Sequence, residues 1–76
     1  MIKNFMTDLE KKGLRVKLKD NELSVMKVIN HHGRRIGART FIDVREINEE
    51  NYSHLLNTLE NYIEFLIMKE KDNNGN

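Results

Sequence analysis

Residues 13–47 read GLRVKLKDNELSVMKVINHHGRRIGARTFIDVREI, and this stretch decides the fold. Its first part, Leu14 to Lys19, alternates with period two: Leu14, Val16 and Leu18 share one side, Arg15, Lys17 and Lys19 the other. Asp20-Asn21 tolerates turn geometry, which predicts a tight hairpin into a second strand over Glu22–Asn30. That strand alternates poorly. Leu23, Val25 and Ile29 have one parity, Met26 and Val28 the other, so apolar groups occupy both faces or a bulge exchanges them. Asn30-His31-His32-Gly33 reads as a second turn, and a third strand follows over Arg34–Ile47. Ile36, Ala38, Thr40, Ile42 and Val44 then share one face; Gly37, on the other, marks a bulge or a close approach of another backbone.

The flanks carry helical spacing. Ile2, Phe5, Met6 and Leu9 fall at i, i+3, i+4 and i+7, and Gly13 is a natural stop. Beyond Ile47, Asn48 is a candidate cap, Glu49 and Glu50 suit a positive first turn, and Ile47 can staple to Tyr52. Tyr52, Leu55, Leu56, Leu59, Ile63, Leu66 and Ile67 then mark one apolar face. The expected architecture is α+β: a helix, a three-stranded antiparallel sheet and a helix (αβββα), both helices on one sheet face. Residues 1–71 form a single domain in this reading, and 72–76 a disordered tail.

Charge is unevenly spread. Lys11 to Arg45 holds ten Lys/Arg against Asp20, Glu22 and Asp43, whereas Glu46 to Asn76 holds two Lys against seven acids. The sheet is basic and the second helix acidic. With the helices over Leu14, Val16, Leu18, Met26, Val28, Ile36, Ile42 and Val44, the bare face is expected to show Arg15, Lys17, Lys19, Lys27, Arg35, Arg39 and Arg45. Val25, Ile29 and Phe41 would lie among them, with Arg34 beside them in the turn region. These cations and Phe41 are the candidate partner- or nucleic-acid-binding residues. An alternative acidic partner face comprises Glu49, Glu50, Glu60 and Glu64. Tyr62, Phe65 and Met68 widen the apolar stripe of the second helix; packing on Phe5 and Met6 is the favoured explanation, and a homodimer contact the other.

Catalysis finds no support in the motifs. Ser24, Ser53, Thr40 and Thr58 lack a nucleophile-elbow context, and Gly33-Arg34-Arg35-Ile36-Gly37 opens no phosphate loop. His31 and His32 are adjacent turn residues and His54 is distant, so neither metal nor cofactor is expected. The absence of Cys fits a reducing compartment, and with no signal-type leader and no long apolar run the expectation is a cytoplasmic chain without membrane contact.

Three resemblances bear on function. The helix–three-strand–helix order is similar to that of double-stranded-RNA-binding domains, but their lysine-rich second-helix start is replaced by Asn48-Glu49-Glu50-Asn51. The turn His32-Gly33-Arg34-Arg35 with Arg39 and Phe41 resembles the three-stranded arm-binding domains of phage integrases over about half the chain. From Met1 to about Tyr62 the chain resembles small CRISPR-inhibitor (anti-CRISPR) proteins of Gram-positive prophages. That likeness runs through Leu9-Glu-Lys-Lys-Gly-Leu-Arg-Val-Lys-Leu, a polar turn and a strand ending near Asn30 and Gly33. It implies a phage-encoded, non-enzymatic protein that inhibits an RNA-guided nuclease. The best-known members are strongly acidic DNA mimics, whereas this sheet is basic, so its contact should be the acidic helix or a grip on guide RNA or an acidic protein patch. The alternative expectation is a DNA- or RNA-binding accessory module using the basic sheet face.

Overall fold

The first helix, α1 (Ile2–Lys11), stops where Gly13 takes φ 86°. The Leu14 N–H donates to the Leu9 carbonyl (3.2 Å) and the Gly13 N–H to the Glu10 carbonyl (2.9 Å), a Schellman closure. Leu9 and Leu14, which accompany that closure, are both buried. The computed structural model describes residues 1–74. After α1 come β1 (Arg15–Lys19), β2 (Glu22–His31) and β3 (Arg34–Asp43), then a 3-10 turn (Val44–Glu46) and α2 (Tyr52–Asn74). The fold is α+β, αβββα, with the antiparallel sheet in the order β1-β2-β3.

Two short turns set the register. Asp20-Asn21 closes the first hairpin on Lys19 and Glu22, with Asp20 at φ 56°. His32-Gly33 closes the second on His31 and Arg34, both turn residues at positive φ (53° and 79°), which suits the right-handed twist of the flanking strands. The second turn is therefore shorter than expected, and β2 runs through Asn30 to His31, one residue beyond the expected end. Residues opposite one another share a face, so Lys19 pairing with Glu22 puts the even residues of β2 on the side of Arg15, Lys17 and Lys19. Leu23 and Val25 turn inward and are fully buried. No bulge interrupts the pairing: Gly37 lies opposite Val28, whose Cγ2 would touch an added Cβ at 3.4 Å. The sequence expectation for β2 is thus corrected. Val25 and Ile29 face the helices, and Met26 and Val28 face out.

Both helices cover the inward face. Phe5 and Leu9 of α1, Leu14, Leu23, Val25, Ile36 and Ile42 of the sheet region, Ile47, and Leu56, Leu59, Ile63 and Ile67 of α2 form one buried cluster. At about 1.5 Å per residue α2 is ~34 Å long, and at about 3.3 Å per residue β3 is ~33 Å, so helix and strand run the same length. The 3-10 turn shortens β3 to Asp43, where the sequence suggested a strand to Ile47. Asn51, not Asn48, occupies the cap position of α2: its carbonyl accepts the Leu55 N–H at 2.8 Å. Asn48 and Asn51 exchange side-chain-to-backbone bonds (2.8 and 2.9 Å), so Glu49 and Glu50 sit in a turn ahead of the helix. At the far end α2 continues to Asn74, past Lys71 where the domain was expected to stop; 75–76 lie outside the described residues. Among the described residues no helix is long and apolar enough to cross a membrane.

The helices meet through Tyr52, whose ring stands edge-on to Phe5 at 5.3 Å and 87°. Its hydroxyl donates to Asp8 Oδ2 at 2.7 Å. Burial, then the bond to Asp8, push the Tyr52 pKa up to about 12. Tyr62, Phe65 and Met68 take no part in this junction. They are 47, 54 and 61% exposed, so the expected packing on Phe5 and Met6 does not occur. Their i, i+3, i+6 spacing carries them across the outer side of α2, away from α1.

Candidate interaction surface

The outward sheet face is built in cross-strand rows. Lys19, Glu22 and Asp43 form the first, Lys17, Ser24 and Phe41 the second, and Arg15, Met26 and Arg39 the third. Beyond the end of β1, Val28 stands beside Gly37 and Asn30 beside Arg35. Neither helix lies on this side. Phe41 is 53% exposed although large and aromatic. A groove of about 290 Å³ runs between Arg15, Lys17, Met26, Arg39 and Phe41. The Arg39 guanidinium lies 3.2 Å from the Met26 sulfur, its apolar stem along the same row.

Ion pairing sorts the candidate cations. Lys27 is removed from the face altogether, because odd residues of β2 point toward the helices; its Nζ donates to Glu64 Oε1 at 2.7 Å. Lys12 likewise holds Glu60, at 3.2 Å. Arg45 is engaged by Asp43 through its backbone N–H (2.9 Å), its Nε (3.0 Å) and its Nη2 (2.6 Å). That side-chain bonding first, then the backbone bond, lower the Asp43 pKa to about 2, and Asp43 in turn raises that of Arg45. Arg34 takes the helix-side parity at the hairpin end, apart from the face. By contrast Arg15, Lys17, Lys19, Arg35 and Arg39 form no ion pair among the described residues.

Five of the nominated cations and Phe41 therefore come together unpaired; Arg45 borders the same surface beside Lys19 and Phe41 but is held by Asp43, while Lys27 and Arg34 lie on the helix-side parity. Glu22, Ser24, Met26 and Val28 belong to the face although the sequence reading left them out. The two-residue turn after Lys19 was the signal that could have found them. Of the acidic alternative, Glu49 and Glu50 lie in the pre-helix turn, and Glu60 and Glu64 are paired with Lys12 and Lys27.

His31 and His32 meet edge-on at the hairpin end, with ring centroids 4.2 Å apart and planes at 62°. Desolvation, then His32 and Lys71, lower the His31 pKa. Among the described residues no three His, Asp or Glu side chains converge as a metal site would require. Chemically the surface offers unpaired cations around an aromatic ring and a thioether. No family model matches the sequence, and comparisons with curated proteins and with solved structures returned no match.

Proposed function

We propose that this chain is a small non-enzymatic binding protein that docks on and inhibits a nucleic-acid-processing machine, such as an RNA-guided nuclease. The prophage-inhibitor resemblance supplies the setting. The observation that carries the binding reading is the bare sheet face, where Arg15, Lys17, Lys19, Arg35 and Arg39 are unpaired around the exposed ring of Phe41. Such a face attracts a polyanion and has apolar surface to bury once contact is made. Contact through the basic face is favoured over the acidic helix, because Glu60 and Glu64 already hold Lys12 and Lys27. The anionic target surface would be guide RNA or an acidic protein patch.

One observation favours a second reading, direct binding of DNA or RNA. Phe41 sits in one row with Lys17 and next to Arg39, an arrangement in which a base stacks on the ring and phosphates meet the cations. The test combines two measurements on the parent and on Arg15→Glu with Lys17→Glu, both on exposed positions of β1. Cleavage by a purified RNA-guided nuclease is followed with the protein added, and labelled single and double strands are titrated at two salt concentrations. Loss of cleavage that the double variant relieves supports the first reading. Salt-sensitive binding of free strands without effect on the nuclease supports the second. A parent that does neither removes both.

A further inference from the structure

The long outer edge of the sheet, along β3, carries main-chain groups that the open face does not use, although Arg35 and Arg39 border both. The Val44 N–H donates to the Asn21 carbonyl at 2.8 Å, which sets the hydrogen-bonding parity between β2 and β3. Even residues of β3 therefore bond β2. The N–H and C=O groups of Arg35, Gly37, Arg39 and Phe41 point to the opposite side, where among the described residues no strand pairs with them. Strand edges of this length are commonly blunted by proline, a bulge, charged side chains or a covering segment, and among the described residues the only one of these along β3 is its arginines, which repel cationic strands but not acidic ones. Here the ten-residue strand has no proline and keeps an unbroken register.

The flank of α2 beside this edge has a matching character. At about 100° per residue, Glu60, Glu64 and Lys71 define the flank turned toward Lys12, Lys27 and His31. Leu55, Tyr62 and Leu66, at i, i+7 and i+11, lie on the other flank, turned away from Lys12 and Lys27 in a helix that packs chiefly on β3. Leu55 and Leu66 are half-buried and Tyr62 is exposed. A fourth strand added at β3 would have one side against this apolar flank and the other beside Arg35 and Arg39.

We propose that the β3 edge receives an extended segment of a partner protein with alternating acidic and apolar residues. Main-chain bonds would come from the four outward residues of β3, acidic side chains would stand opposite Arg35 and Arg39, and apolar ones would pack on Tyr62 and Leu66. Charge complementarity selects this occupant over a second copy of the chain, which would bring its own Arg35 and Arg39 to the same centre. The proposal rests on the reading of the chain as a docking protein but uses main-chain groups that the open face does not.

The experiment is a fluorescence-anisotropy titration with a labelled peptide of alternating Glu and Val, long enough to span Arg35 to Phe41. An alternating Lys–Val peptide and a peptide with the same Glu and Val in two blocks serve as controls. The alternating acidic peptide is expected to bind about tenfold more tightly than either control, from two favourable cross-strand charge pairs and the matched register. It should also slow amide exchange at Gly37 and Arg39. Gly37→Pro removes an outward N–H without touching the β2 ladder and should abolish binding. Arg35→Glu with Arg39→Glu should reverse the preference toward the Lys–Val peptide, a readout that stands even where the proline variant fails to fold. Arg15→Glu with Lys17→Glu should keep the preference for the alternating over the blocked acidic peptide, two ligands of equal charge, which separates failure of this edge from failure of the open-face reading. Equal binding of the three peptides, or undiminished binding by folded Gly37→Pro, overturns the proposal. So does sedimentation showing a parent dimer that Gly37→Pro dissociates, since the occupant would then be a second copy.

Discussion

Truncating two valines of one strand, Val25→Ala and Val28→Ala, tests the face assignment on which the surface depends. Both sit in β2, so the loss of β-branching is common to the pair and cancels in the comparison. Val25 is fully buried, between Val16 and Thr40. Removing two buried carbons at about 0.8 kcal/mol each, with a cavity left behind, costs roughly 2–3 kcal/mol. Val28 is half-buried on the open face with only Gly37 opposite, so its truncation should cost less than about 1 kcal/mol. A chain of this size has a total stability of roughly 4–11 kcal/mol. Val25→Ala should therefore lower Tm by roughly 10–20 °C, and Val28→Ala by a few degrees. Urea and thermal melts followed by circular dichroism give both values. If Val28→Ala proved as damaging as Val25→Ala, the even residues of β2 would be the buried ones, and the cationic face described above would not exist.

Tyr52→Phe should cost about 1–2 kcal/mol by removing the hydroxyl bond to Asp8. Because the folded Tyr52 pKa is raised from 10.0 to about 12, the unfolded chain releases its proton first. The parent should lose this contribution as pH rises from 10 toward 12, and the Phe variant should lack that component; parallel alkaline melts of the two proteins would refute it. Gly13→Ala, at φ 86°, should destabilise the chain by about 1–2 kcal/mol, measured by urea melts, because a Cβ strains the left-handed backbone that closes α1. Lys27→Ala should cost under about 1 kcal/mol in stability, as expected of a part-exposed ion pair, and leave polyanion binding intact. Lys17→Ala should instead shallow the salt dependence of that binding by roughly one phosphate contact.

The open-face surface was partly legible in the sequence. Arg15, Lys17 and Lys19 alternate with Leu14, Val16 and Leu18, and this assignment to faces matches the structure. Arg39 and Phe41 share a parity opposite to Ile36 and Ile42, which also matches. The place of Lys27 is not legible from the composition of β2, in which Val and Met of one parity are as apolar as Leu, Val and Ile of the other. Pairing Lys19 with Glu22 across a two-residue turn would have resolved it, since side chains directly opposite must share a face. The fates of Arg45, Glu60 and Glu64 were not available from spacing. Arg45 finds Asp43 only once the chain bends into a 3-10 turn, and the two glutamates meet Lys12 and Lys27 across 48 and 37 residues of chain.

By itself, the sequence determined the order of elements, because helical and strand periodicities are local properties and Gly13 and Gly33 mark breaks where L residues are strained. It also determined that the sheet would be cationic. The tertiary structure alone decided which cations stay unpaired, how far α2 covers the sheet, and that β3 ends as an open edge. These depend on partners brought together from distant parts of the chain, and Coulomb attraction and burial act through the space between side chains, whatever their separation in sequence.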